Sequence, residues 1–133
     1  MSKPIAVIVG AGEGLSAALA RALAPDHALV LAARSGARMA DVAAETGAAT
    51  VAMDASDPAA MAALFDDLPD APRVAIYNPS ARVRGPLTDL DPEEVRRSVE
   101  VTAFGAFLMG QAAARRMLAA DPVDGCRGTI LFT

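Results

Sequence analysis

Ile5-Ala6-Val7-Ile8-Val9-Gly10-Ala11-Gly12-Glu13-Gly14-Leu15 is the stretch on which the fold turns. Its five leading apolar residues read as a strand from Ile5 to Val9 covered on both faces, because a strand with one wet face would alternate. The glycines end that strand and allow a tight turn, and Leu15 to Leu23 then reads as a helix. A helix that starts directly after a glycine loop points unpaired N–H groups and the positive end of its dipole back over the loop. Such a loop suits a phosphate, which can approach a backbone that carries no Cβ.

The same alternation runs outward along the chain. Ala28 to Ala32 reads as a second strand, Ala37 to Glu45 as a helix closed by Gly47, and Thr50 to Met53 as a third strand. Asp57-Pro58 is an N-cap followed by the residue best tolerated at the first helical position, which opens a helix through Leu64 and Phe65. Val74 to Tyr77 is a fourth strand. Asp91-Pro92-Glu93-Glu94 starts a long helix reaching about Met117, with Val95, Val99, Ala103, Phe107, Gly110 and Ala114 as its expected buried stripe. Thr129 to Thr133 is a fifth strand. Strands and helices in strict alternation imply right-handed crossovers and a parallel sheet. The expected fold class is α/β, a Rossmann-like doubly wound sheet of five strands, as one domain over residues 1–133.

Composition narrows the partners. The chain has 133 residues, 53% of them hydrophobic, which suffices for one core, and few aromatics, which suits helices packed closely on a sheet. A net charge of -4 gives no general attraction to nucleic acid or to an anionic membrane surface. The first apolar run is broken by glycines far short of a membrane span. The single cysteine, Cys126, excludes an intramolecular disulfide and a cysteine-based zinc site, and fits a reducing cytoplasm. No metal site is expected. Cys126 reads as a partly buried thiol, His27 as a surface loop residue, Met109 and Met117 as core, and Arg96-Arg97 and Arg115-Arg116 as solvated helix faces.

The spacing of the glycines discriminates further. A GxGxxG fingerprint needs glycine at position 15, where Leu15 stands, whereas Gly10 and Gly14 fit GxxxGxG. That loop resembles the TGxxxGxG of the short-chain dehydrogenase/reductase (SDR) family, with Val9 for the threonine and Ser16 for the last glycine. Met53-Asp54-Ala55-Ser56-Asp57 is similar to the family's segment whose aspartate touches adenine. Tyr77-Asn78-Pro79-Ser80-Ala81 resembles its NNAG, with Tyr77 for the first asparagine and Ser80 for the glycine. Val101 to Leu108 resembles its NxxGxF stretch and puts Thr102 where a catalytic asparagine normally sits. Gly128 to Thr133 resembles its fifth strand.

The resemblance implies a dinucleotide cofactor held by Gly10, Gly12, Glu13, Gly14 and Leu15, with Asp54 and Ala55 at the adenine and Asn78, Pro79 and Ser80 at the end of the fourth strand. Asn78 is equally well read as a clip at that strand end. After the second strand an acidic residue would take the 2′-hydroxyl of NAD. The chain has Arg34-Ser35 instead, with Arg38 nearby, and a guanidinium matches a 2′-phosphate, so NADP is expected in preference to NAD.

The chemistry of reduction is missing from these residues. The family's proton donor is a tyrosine with a lysine four residues on, but the one tyrosine, Tyr77, is followed by Ala81, and the one lysine is Lys3. No residue of the chain is assigned a catalytic role. The chain therefore reads as an SDR-type NAD(P)-dependent oxidoreductase cut before its catalytic serine and YxxxK, acting at full length on a small alcohol or carbonyl compound. The alternatives are a non-catalytic NADP-binding module and a subunit-interaction module. A homo-oligomer is expected, as is association through the uncovered sheet edge of the isolated chain.

Overall fold

The computed structural model describes residues 2–133. Five strands, β1 (Ile5–Val9), β2 (Ala28–Ala33), β3 (Ala49–Ala52), β4 (Val74–Tyr77) and β5 (Thr129–Phe132), form one sheet in the order β3-β2-β1-β4-β5. All four pairings are parallel. The unbroken apolar run that the sequence singles out lies at the centre, with every residue of β1 buried. Alternate residues serve opposite layers, as a pleated strand requires. Ala6 and Ile8 join Leu29, Leu31 and Ile76 beneath α1 (Leu15–Leu23) and α2 (Gly36–Thr46). Val7 and Val9 join Ala75 and Tyr77 beneath α3 (Pro58–Asp66) and the later helices. The sheet is therefore doubly wound, as expected, and the element boundaries differ from the sequence reading by a residue or two.

The caps are those the sequence proposes. The Asp57 carboxylate accepts from the Ala59 N–H at 3.0 Å with Pro58 in the first turn of α3. The Asp91 carboxylate accepts from Glu93 N–H at 2.9 Å at the start of α4 (Pro92–Val99). Gly47 ends α2 in the left-handed conformation that its missing Cβ permits.

The long helix requires a correction. It is continuous in direction but contains a π-helical turn, Glu100–Phe104, between α4 and α5 (Gly105–Ala119). The expected buried stripe is also misplaced: Val95, Val99 and Phe107 are exposed, the last two at 58%, and Ala103 is exposed as well. The line that faces the sheet is Gly105, Met109, Ala113 and Met117. α5 approaches the sheet so closely that glycine and alanine fill much of its contact line. Val95, Val99 and Phe107 stand on the outer face, while the bulk on the buried line comes from Met109 and Met117.

Three smaller corrections follow, and in the first two a distant element comes within reach of an arginine. Arg116 is no solvated arginine, because its guanidinium donates to the Phe65 carbonyl at 2.6 Å and the Leu68 carbonyl at 3.0 Å, tying α5 to the end of α3. Arg97 is half-buried and paired, as described below. Cys126, expected to be partly buried, is exposed in the turn bridged by Val123 and Cys126. No helix among the described residues is long and apolar enough to cross a membrane.

Candidate functional site

The C-terminal ends of β1 to β4 open onto a cleft of about 520 Å³, within the range of small-molecule sites. Strand order reverses at β1, where one crossover sequence leads to β2 and β3 and the next to β4. In open α/β sheets that switch point is where ligands bind.

One wall is the glycine loop. Gly10 N–H and Ala11 N–H both donate to the Ala32 carbonyl, at 2.8 and 3.0 Å, fixing the loop to the end of β2. Gly10 has φ +85, and a Cβ there would lie 2.5 Å from the backbone nitrogen of Pro79, so only glycine fits. Ser16, where the loop pattern has its last glycine, is buried. Its hydroxyl accepts from Gly12 N–H at 3.0 Å and so clips the loop to α1. Gly10, Gly12 and Glu13 line the cleft. Gly14 instead caps α1 at φ 76, and Leu15 begins the helix with a half-exposed side chain outside the lining.

Arg34, Ser35 and Arg38 form the wall after β2, with Ser35 at the N-cap of α2. Among the described residues neither arginine has an ion-pair partner, and both are exposed toward solvent. The Arg38 side chain passes 3.9 Å from where a Gly12 Cβ would stand, so its stem lies beside the glycine loop.

Beyond β4, Asn78, Pro79 and Ser80 line the cleft. Asn78 also serves as a strand-end clip: its N–H donates to the Val9 carbonyl at 2.9 Å, and its Oδ1 accepts from the Thr133 hydroxyl at 2.5 Å. Thr102 is exposed, and its hydroxyl accepts from Ala81 N–H at 3.3 Å. Ser98, one turn earlier, donates to the Ala81 carbonyl at 2.6 Å. The two hydroxyls hold the loop after β4 against the helix.

The far end joins Asp54, which the sequence reading names, to Arg97, which it reads as a solvated helix face. Asp54 and Ala55 line the cleft there together with Arg97, which reaches over from α4. Arg97 Nη2 donates to Asp54 Oδ2 at 2.7 Å and Nη1 to Ser56 Oγ at 2.7 Å. Ser56 returns two bonds to Asp54 Oδ1, from its N–H at 2.9 Å and its hydroxyl at 2.8 Å. The Ser56 N–H bond, with Arg97 and the Ser56 hydroxyl adding to it against the cost of burial, lowers the Asp54 carboxyl to about 2. It is ionised at neutral pH.

Tyr77 lies beneath this end, 2% exposed, and its hydroxyl donates to the Val101 carbonyl in the π-helical turn. Burial first, and then the nearby Asp54 charge, push the phenol up to about 12, so it is a neutral donor with a structural partner. Gly105 lets the helix settle here, since a Cβ would overlap the Tyr77 hydroxyl and come 2.8 Å from the Ala55 carbonyl. The available signal for Arg97 is its place on one helical line with Val101 and Gly105. In the sequence its neighbour Arg96 makes it look like a solvated pair.

A family model described as short chain dehydrogenase matches residues 4–133. Among solved structures, the chain is similar to a short-chain type dehydrogenase/reductase from Mycobacterium marinum, at 28% identity and a TM-score of 0.86, covering 98% of this chain and 55% of that one. A short-chain dehydrogenase from Rhodopseudomonas palustris matches at 26% identity and 0.84, over 97% of this chain and 62% of that one. BdcA, solved in complex with NADPH, matches at 21% identity and 0.78, over 95% of this chain and 57% of that one, a likeness of fold. The chain thus spans little more than half the length of these structures.

Proposed function

The chain belongs to the short chain dehydrogenase family, and from that premise we propose that residues 1–133 are the NADP-binding unit of an oxidoreductase acting on a small alcohol or carbonyl compound. The observation that carries the reading is the cleft at the strand switch point, with a glycine cradle on one wall and, on the next, Arg34 and Arg38, unpaired among the described residues. The residues fit a dinucleotide: Gly10 leaves no room for a Cβ, and α1 presents its N-terminus behind Gly12 and Gly14.

In this reading the loop Gly10 to Leu15 holds the pyrophosphate through backbone N–H groups. Arg34, with Ser35 and Arg38, takes the 2′-phosphate that distinguishes NADP from NAD. Asp54 and Ala55 meet the adenine, and Asn78, Pro79 and Ser80 shape the cleft beyond the switch point. A bound nicotinamide would supply the hydride. The chain's own residues bind and orient it, and none supplies the proton: Tyr77 is buried and held neutral, and Thr102 is engaged with Ala81. A proton donor therefore comes from outside these residues, and the subunit associates as a homo-oligomer, which the exposed apolar face with Val99 and Phe107 supports.

The test is to titrate the chain with NADPH and then add a panel of aldehydes and ketones while following NADPH absorbance. The expected result is saturable binding without consumption. Absence of binding would overturn the cofactor reading, and steady consumption would show that the chain contains a proton donor of its own.

The competing reading, a subunit-interaction module that needs no nucleotide, is disfavoured by the loop geometry. The glycine cradle beside Arg34 and Arg38, unpaired among the described residues, supports a phosphate-bearing ligand instead.

A further inference from the structure

A second hollow, of about 510 Å³, adjoins the cofactor cleft, and Ala81 and Arg97 line both. The chain passes from one to the other along the loop after β4: Ser80 lines the cleft, and Arg82, Val83 and Arg84 line the hollow. The loop is pinned where it enters, because Ser98 donates to the Ala81 carbonyl at 2.6 Å and Ala81 N–H donates to the Thr102 hydroxyl at 3.3 Å. It turns at Gly85, with φ +150, where a Cβ would lie 3.3 Å from the Leu90 side chain. Between these two points exposure alternates: Ala81 and Val83 are half-buried, and Arg82 and Arg84 are exposed. Alternation of that period puts the two arginines on one side of an extended segment, with their Cα atoms roughly 7 Å apart.

The charges in the hollow decide what it takes. Arg97 is committed to Asp54 and Ser56, and Glu93, in the first turn of α4, is paired with Arg96 at 3.6 Å. That leaves Arg82, Arg84 and Glu94, none of which has an ion-pair partner among the described residues. Two positive charges against one negative leave a single positive charge, in a chain whose net charge is -4. One carboxylate balances it, whereas a phosphate dianion would overbalance it. A guanidinium also matches the two oxygens of a carboxylate bidentately. An anion held here would lie apart from the cofactor's phosphates, which the cofactor reading assigns to the glycine loop and Arg34.

Resting on the reading of the cleft as an NADP site, we propose that Arg82 and Arg84 hold the carboxylate of the substrate, so that the small carbonyl compound is an oxo acid and the corresponding alcohol a hydroxy acid. The carboxylate takes no part in the reaction. It anchors the molecule while the carbonyl carbon accepts a hydride from the bound cofactor and the carbonyl oxygen accepts a proton from a donor outside these residues. A hydride acceptor has to lie against the cofactor, and a hollow that shares a wall with the cofactor cleft meets that requirement.

The experiment titrates the NADPH-saturated, isotope-labelled chain with levulinate and with methyl propyl ketone, which has the same number of carbons and lacks the carboxylate, and follows backbone amide shifts. Levulinate is expected to bind at least about five-fold more tightly, with shifts centred on Arg82, Val83 and Arg84. In the double variant Arg82→Gln, Arg84→Gln the preference is expected to fall to within about two-fold. Both side chains are exposed and outside the lining of the cofactor cleft, so NADPH binding should be unchanged in that variant. A ratio near one in the unmodified chain overturns the proposal, as does a preference that survives in the double variant. Shifts confined to Gly10, Gly12 and Arg34 overturn it as well, because they would make levulinate a competitor for the cofactor's phosphate sites. If the chain does not saturate with NADPH, the cofactor reading itself has failed and this proposal falls with it.

Discussion

The two ends of the cleft are built by different means. At the glycine loop the work is done mostly by backbone: Gly10 and Ala11 tie to Ala32, Pro79 closes against Gly10, and a single side-chain hydroxyl, that of Ser16, clips Gly12 from within four residues. At the far end, around Asp54, it is done by side chains that span long stretches of sequence. Arg97 reaches Asp54 and Ser56 across more than forty residues, and Tyr77 reaches Val101 across 24. A backbone-built end is specified by short motifs and tolerates few substitutions. A side-chain-built end depends on which helix face happens to arrive, and single changes should tune it without dismantling it.

The largest effect separating the two should come from Gly10→Val. The new side chain meets the Pro79 backbone at 2.5 Å and must adopt φ +85, so we expect a loss of about 3 kcal/mol or more of stability in urea denaturation and no measurable NADPH binding. Survival of binding would mean that the loop is not the rigid end.

Gly105→Ala should be next, at about 2 kcal/mol, because its methyl overlaps the Tyr77 hydroxyl. Tyr77→Phe in the same chain should recover part of that loss but not all, since the Ala55 carbonyl still lies 2.8 Å away. Strictly additive losses in this double-mutant cycle would remove Tyr77 from the account of how the helix is seated.

Arg34→Ala is expected to weaken NADPH by about ten-fold or more while changing NADH by less than about two-fold in parallel titrations. Equal losses for both ligands would make Arg34 a general phosphate contact.

The smallest effect concerns pH. Asp54 has its folded carboxyl lowered from 3.8 to about 2, so the stability it contributes is complete above the unfolded value and disappears as pH falls from 3.8 toward 2. Its side chain is 40% exposed, and solvent screening reduces the contribution to about 1 kcal/mol. The difference in unfolding free energy between the unmodified chain and Asp54→Asn should shrink by most of that amount between pH 5 and about pH 2.5. A constant difference would contradict the assigned cause.

The same contrast explains what the sequence disclosed. The strand Ile5–Val9, the glycine loop and the caps at Asp57 and Asp91 are local patterns, and the parallel sheet with its crossovers follows from their alternation. The buried line of the helix after Asp91 is hard to place from the sequence because half of it is small, and bulk marks only Met109 and Met117. Gly105 and Ala113 lie on its buried line, while Val99 and Phe107 stand outside. Arg97 was hidden for a related reason: its partners lie on another element, and no spacing within its own helix announces them. The SDR resemblance located Asp54, Asn78 and Thr102 by position, but not the bonds that Ser56, Thr133 and Ala81 make to them.

The most direct test of the central claim is a backbone amide map of the isotope-labelled chain with and without NADPH. The account predicts concentration-dependent shifts at Gly10, Gly12, Arg34, Ser35 and Asp54, with Val95 and Phe107 on the outer helix face unmoved. Shifts confined to that outer face, or none at all at millimolar NADPH, would contradict it.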